Sequence, residues 1–192
     1  MDASPLEIVL AGFTAVGLAA ACGFRVFLPL LILGLAVRTG HGSVGAEFAW
    51  LASTGALVCF GIATGLELLA FYVPVLDNAL DALATPAAAI AGAVAATSVF
   101  VGLGGLDPWL EWTAGVIAGA SIATVVQVPM AAARGASTVT TAGSANFLVA
   151  SGEWFVSALV AALALLAPIV VPMVVVAIVA GAIQLRRRRA VG

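Results

Sequence analysis

The chain is 192 residues long, 64% apolar and only 8% charged, with a formal net charge of −2, and its mean hydropathy of +1.23 lies far outside the range of soluble globules. The solvent of such a fold is lipid, and residues 1–192 read as a single integral membrane domain. There is no Lys, and four of the seven basic residues are the run Arg186, Arg187, Arg188 and Arg189, so a basic surface for nucleic acid is excluded and no nucleic-acid partner is expected.

Ser4-Pro5-Leu6-Glu7 predicts a helix start, with Ser4 as cap, Pro5 in the first turn where its missing N–H costs nothing, and Glu7 closing a capping box. Asp2 and Glu7 occupy the place where a cleaved secretory signal carries positive charge, so this segment is expected to stay in the mature protein. From there to Arg38 the only charge is Arg25. A helix of that length measures roughly 45 to 50 Å against a hydrocarbon core of about 30 Å. Gly23 and Pro29 bracket Arg25 and predict a broken or re-entrant first segment. Read as one broken span, it puts Asp2 and Thr39 on opposite sides of the membrane.

Arg38 to Glu47, with His41, is a polar loop, and a second span is expected from about Trp50 to Pro74 with Glu67 inside it. Asp77 to Ala84 reads as a short amphipathic piece. Thr85-Pro86 then repeats the cap-and-proline start and launches a third span that ends at Gly102-Leu103-Gly104-Gly105. Asp107-Pro108 opens a fourth span running to about Ala133, with Arg134 marking its exit and a hydroxyl-rich loop following from Ser137 to Ser144. Asn146 to Leu185 holds Glu153 as its one charge. Its roughly 60 Å of helix is twice a bilayer and must fold back, at Pro168 and Pro172.

The expected fold is therefore all-α, a polytopic membrane bundle of about six transmembrane helices. Six spans put both termini on one side. Placing Arg134 and the terminal arginines in the cytoplasm satisfies the positive-inside rule with Arg38 as the exception, and sets Trp50, Trp109 and Trp112 at the outer interface. The expected location is the cytoplasmic (inner) membrane, multi-pass, with cytoplasmic N- and C-termini.

The residues that could carry chemistry are few. Glu67 and Glu153 lie within spans, a turn or two inside the cytoplasmic edge, and intramembrane carboxylates face a bundle interior or a wet cavity because hydrocarbon costs them a few kcal/mol or more. Asp77 and Asp81 are four apart, share a helix face and repel unless a cation, a proton or Arg25 stands between them. Arg25 cannot shed its proton and needs a carboxylate or an anion, with a structural pair favoured. The stretches Asp77 to Pro86 and Ser137 to Asn146 precede spans at corresponding points, which adds Thr85, Thr140 and Thr141 to the candidate transport or binding residues.

Gly61-xxx-Gly65 and Gly115-xxx-Gly119 are close-packing motifs that serve within a chain or between copies, so a second copy is a candidate partner besides the lipid bilayer. His41 has no second His at zinc spacing, and Cys22 and Cys59 read as packing residues. No metal and no cofactor is expected. Without GxSxG, HExxH, P-loop or dinucleotide motifs, an enzyme is not expected either.

Ala20-Ala21-Cys22-Gly23-Phe24-Arg25-Val26-Phe27-Leu28-Pro29-Leu30, then Leu76-Asp77-Asn78-Ala79-Leu80-Asp81 with Ala84-Thr85-Pro86-Ala87, then Ser137-Thr138-Val139-Thr140-Thr141, together resemble the multi-pass family called domain of unknown function 4126. The resemblance covers nearly the whole chain and implies a membrane fold without assigning a reaction. Members favour Asn-Pro after the threonines where this chain has Asn146-Phe147. Phe24-Arg25-Val26-Phe27-Leu28-Pro29 is also similar to the arginine-and-proline half-helices of the DedA lipid-carrier flippases, which implies a runner-up function. The reading that follows is a small transporter or channel-like protein moving an ion or small solute, coupled to a proton or cation, through a polar site at broken helices. Its rivals are flippase-like handling of an anionic lipid or polyprenyl phosphate by Arg25, and a non-transporting scaffold.

Overall fold

The computed structural model describes residues 4–70, 74–101, 107–141 and 146–174, without the side chains of 74–82, 146 and 147. The turn at 102–105, part of the hydroxyl-rich stretch, the segment reaching Leu185 and the terminal arginines lie outside the described residues, as do the side chains of Asp77 and Asp81. The described chain forms six α-helices: α1 (Pro5–Phe24), α2 (Phe27–Arg38), α3 (Thr54–Ala70), α4 (Pro74–Phe100), α5 (Pro108–Thr141) and α6 (Asn146–Leu166). A 3-10 helix, Ala46–Ala52, precedes α3. Four helices are long and apolar enough to cross a membrane, and a fifth crossing results if the 3-10 helix and α3, bent by 58°, form one span.

The expected capping box opens α1, with Ser4 Oγ accepting from the Glu7 N–H at 3.3 Å and Glu7 accepting from the Ser4 N–H at 2.7 Å. The helix breaks at Arg25, whose backbone is extended (φ −144°, ψ 134°), and α2 begins two residues later. Pro29 falls in the first turn of α2, where no intrahelical donor is needed. At the far end of α2, Gly40 takes φ +78°. The Gly40 and His41 N–H groups then bond back to Val37 and Ala36, closing the helix with a turn that a side chain would strain.

Residues 5–38 form a hairpin. α1 packs through Ala15 and Ala19, past its midpoint, on Ala96 near the end of α4, so its start reaches beyond that end, and the loop after α2 returns to the same end, where the Gly45 N–H donates to Ser98 O at 2.9 Å. Pro5 and Arg38 therefore share one end of the bundle, which overturns the expectation of a single broken span. The 3-10 helix and the start of α5 lie at that end too, with Phe48 and Trp112 rings 5.2 Å apart. Trp50, Trp109 and Trp112 are exposed there, as an interfacial belt requires. The start of α1 thus stands at the same end of the bundle as the tryptophans.

Three further boundaries differ from the sequence expectation. The span expected from Trp50 starts at Thr54, because Ser53 is extended and its Oγ caps the Ala56 N–H at 3.2 Å. Pro86 starts no helix: α4 runs through it from Pro74 to Phe100, so the amphipathic piece and the third span are one helix. Arg134 is no exit marker, since α5 continues to Thr141 and the described part of the hydroxyl stretch is helical. Its threonines bond their own helix, Thr138 to Arg134 O, Thr140 to Ala136 O and Thr141 to Ser137 O, which removes the loop-forming pull of free hydroxyls.

The core is a seam of small residues. Gly92 of α4 meets Gly119 of α5 backbone to backbone, and a Cβ on Gly92 would stand 2.6 Å from the Cβ of Ala123. Gly115 lies against Thr97 in the same way. The second glycine motif therefore works inside the chain, whereas Gly61 and Gly65 meet no described atom within 4 Å of a built Cβ. Ile62, Leu66 and Leu69 of α3 and Ile117 and Val125 of α5 point outward, as lipid-facing residues do.

Candidate functional site

The break between α1 and α2 is where the polar residues gather, and backbone accounting explains why. A helix end leaves carbonyls without partners and a helix start leaves N–H groups without partners, and neither is tolerable in hydrocarbon. Here side chains from other helices add to the local bonds. Ala21 O accepts from the Arg25 N–H at 3.1 Å and from Ser157 Oγ of α6 at 2.9 Å. With its amide oriented as its neighbours require, Gln127 of α5 donates to Gly23 O and accepts from Arg134 Nη2 at 3.0 Å. On the α2 side Val26 has no side-chain cap of its own. The Val26 and Phe27 N–H groups donate instead to the two oxygens of Glu67 from α3, at 3.2 and 3.4 Å.

Arg25, at the break itself, donates to Glu153 of α6 at 2.7 Å and to Ala150 O at 3.3 Å. Arg134 of α5 donates to the same Glu153 oxygen at 3.2 Å. One carboxylate thus bridges two guanidinium groups, and all three residues are buried, at 6%, 4% and 4% exposure. Removing one member of such a set leaves an uncompensated buried charge and costs about 3–5 kcal/mol. Gly23 lets this happen: a Cβ there would lie 2.6 Å from Ala123 O and from the Val126 Cβ, so only glycine brings the last turn of α1 against α5.

The structure joins three of the sequence candidates, Arg25, Glu67 and Glu153, and places them at the end of the bundle opposite the tryptophans. The twenty residues of α1 carry Arg25 about 30 Å from the start of that helix, the thickness of a hydrocarbon core. Asp77 and Asp81 belong to the first turns of α4, with side chains outside the described residues, and Thr85 is half-buried farther along α4. Thr140 is exposed and bonded to its own helix, and Thr141 likewise bonds Ser137 O.

Sequence reasoning passed over Arg134 and Gln127, which stand seven apart on the buried face of α5. The signal lay in the stripe Glu111, Gly115, Gly119, Ala123, Gln127, four residues apart at each step, which marks a single helix face continuing beyond Ala133. Glu111 was passed over as well: it is 5% exposed, and among the described residues nothing donates to its buried Oε1. Of the cysteines, Cys22 is buried in the core and Cys59 is exposed.

The family model described as Domain of unknown function (DUF4126) matches residues 13–188. The chain belongs to this family. The match takes in every residue of the junction, from Gly23 to Ser157. No curated protein matches the chain, and no solved structure does. The family's description names no activity.

Proposed function

We propose that this family member is a small membrane transporter or channel-like protein, moving an ion or small solute in coupling with a proton or cation through the polar junction at the α1–α2 break. The observation that carries the reading is the bridge of Arg25 and Arg134 by Glu153 beside a half-length helix whose start is capped from another helix by Glu67. A bundle that needed only stability would fill this position with apolar residues, since a buried ion set is no more stabilising than well-packed ones. Ionisable groups on a broken helix are what a coupled site uses. The chain acts without chemistry of its own, and the membrane is the cytoplasmic (inner) one. The junction end faces the cytoplasm and the start of α1 the outer side.

The test is flux in proteoliposomes under imposed proton, sodium and potassium gradients, for the native chain and for Glu67→Gln and Glu153→Gln. Loss of flux or of its pH dependence in either variant is expected; unchanged behaviour in both overturns the reading. Handling of a lipid phosphate by Arg25 is disfavoured, because the buried Arg25 guanidinium already donates to Glu153 at 2.7 Å.

A scaffold is the second reading, and the Gly61–Gly65 face of α3, which meets no described atom, favours it. A pair of copies joined there would cross-link through Cys placed at Gly61 after Cys22 and Cys59 are replaced. A scaffold would also show no flux in any gradient.

A further inference from the structure

Resting on the transport reading, we propose that the coupling ion is a proton and that Glu67 carries it, so that protonation of this one carboxylate releases the start of α2. Among the described residues, the charged and titratable groups that act on Glu67 are Arg25 at the break, Arg134 of α5 and the buried Cys22 thiol of α1, with Glu153 of α6 bridging the two guanidinium groups. Glu153 is unsuited to the task. One of its oxygens holds Arg25 at 2.7 Å and Arg134 at 3.2 Å. A proton there would leave two buried guanidinium groups facing each other, neither able to shed its own.

Glu67 is placed differently. Among the described residues its oxygens accept only from the Val26 and Phe27 N–H groups, at 3.2 and 3.4 Å, so a proton on it strips no cation of a direct partner. It is partly exposed, where Glu153 is buried, and it stands one turn from the end of α3. Both oxygens serve as acceptors in the ionised form. Once one becomes an O–H it donates instead, and one N–H of α2 loses its partner. Val26 has no side-chain cap of its own, and an unmet N–H in hydrocarbon is costly enough to move a helix start toward water or another acceptor. The new O–H needs an acceptor in turn. Thr64 lies three positions earlier, a neighbour at helical spacing, and its buried Oγ1 has no hydrogen-bond partner. Other threonines in these helices spend that hydroxyl on the backbone four residues back, as Thr14, Thr124 and Thr138 do.

The proton is read where it acts, at the backbone of α2. The full chain in nanodiscs, labelled with nitrogen-15 at valine and phenylalanine, is titrated with acid while the amide signals of Val26 and Phe27 are followed by NMR. Both signals should move together along one curve with one midpoint. In Glu67→Gln, which keeps the volume and cannot titrate, that movement should vanish. Thr64→Val keeps the shape and removes the acceptor for the protonated form, so it should move the midpoint about one pH unit lower, the worth of one hydrogen bond. That variant retains the carboxylate and serves where Glu67→Gln fails to fold.

Amides that stay still over the pH range in which the chain remains folded overturn the proposal, as do amides that move in Glu67→Gln as they do in the native chain. Flux that follows a sodium or potassium gradient and ignores a proton gradient also overturns it, and leaves the transport reading standing. The transport reading fails on a different result: proteoliposomes that carry nothing under any gradient, while the two amides titrate as expected, keep the proton on Glu67 and refute the flux.

Discussion

One face of α5 buries itself in two ways. Toward the tryptophan end it presents Gly115, Gly119 and Ala123, and the backbones of α4 and α5 close on each other with nothing larger than alanine or threonine side chains beside the contact. Toward the other end the same face presents Gln127 and Arg134, and the gap is filled by charge paired with charge. The seam is specified by what is missing from its residues, since dispersion between close backbones holds membrane helices together where lipid competes equally for apolar side chains. The junction is specified by partners that must all be present. Damage should accordingly spread differently in the two regions: the seam responds to added volume, the junction to a lost charge.

The largest effect is expected at the junction. Glu153→Ala leaves Arg25 and Arg134 facing each other without their bridge and should cost about 3–5 kcal/mol in denaturant titration of the micellar protein. Replacing the set together, as Arg25→Met with Arg134→Leu and Glu153→Leu, should recover most of that stability while abolishing flux. A triple variant as unstable as the single one would mean that the charges themselves, rather than their pairing, hold the junction.

At the seam, Gly119→Val introduces a side chain where the Gly92 carbonyl and the Ala96 Cβ already stand. The two backbones must part, at about 1–3 kcal/mol by the same titration. Gly61→Val, where no described atom stands within 4 Å of the new Cβ, is the control and should stay within about 0.5 kcal/mol in the monomer, as surface changes do. A Gly61 variant as damaging as the Gly119 one would show that α3 has a partner.

The sequence announced much of this and misplaced some of it for physical reasons. The capping box at Ser4, the break at Arg25 and the membrane itself were legible because they rest on local chemistry and composition. Whether the break turned the chain back was not, because a hairpin is fixed by what each half packs on, and Ala15 against Ala96 is eighty-one positions apart. Pro86 and Arg134 misled for different reasons. Proline costs a helix only one bond, and α4 continues through it; arginine signals an aqueous edge, but that rule gives way when a neighbouring helix supplies a partner. Arg134 has Glu153. Thr140 and Thr141 read as loop hydroxyls in the sequence, and both lie on α5, bonded to its backbone.

The smallest effect tests whether the comparison is complete. Glu111 opens the buried face of α5 at the tryptophan end, on the seam side, and it is the wrong residue for a seam: a carboxylate 5% exposed, with a buried Oε1 to which no described group donates. If the seam works by absence, this charge is a burden, since burying one without a partner costs stability. Glu111→Gln keeps the shape and removes the charge. It should therefore stabilise by about 1 kcal/mol, a rise of about 2–4 °C in the melting temperature of a chain of this size, with flux unchanged. A fall in melting temperature with altered flux would give the opposite answer. The tryptophan end would then hold a polar station of its own, and α5 would carry a charged site at each end of its glycine seam.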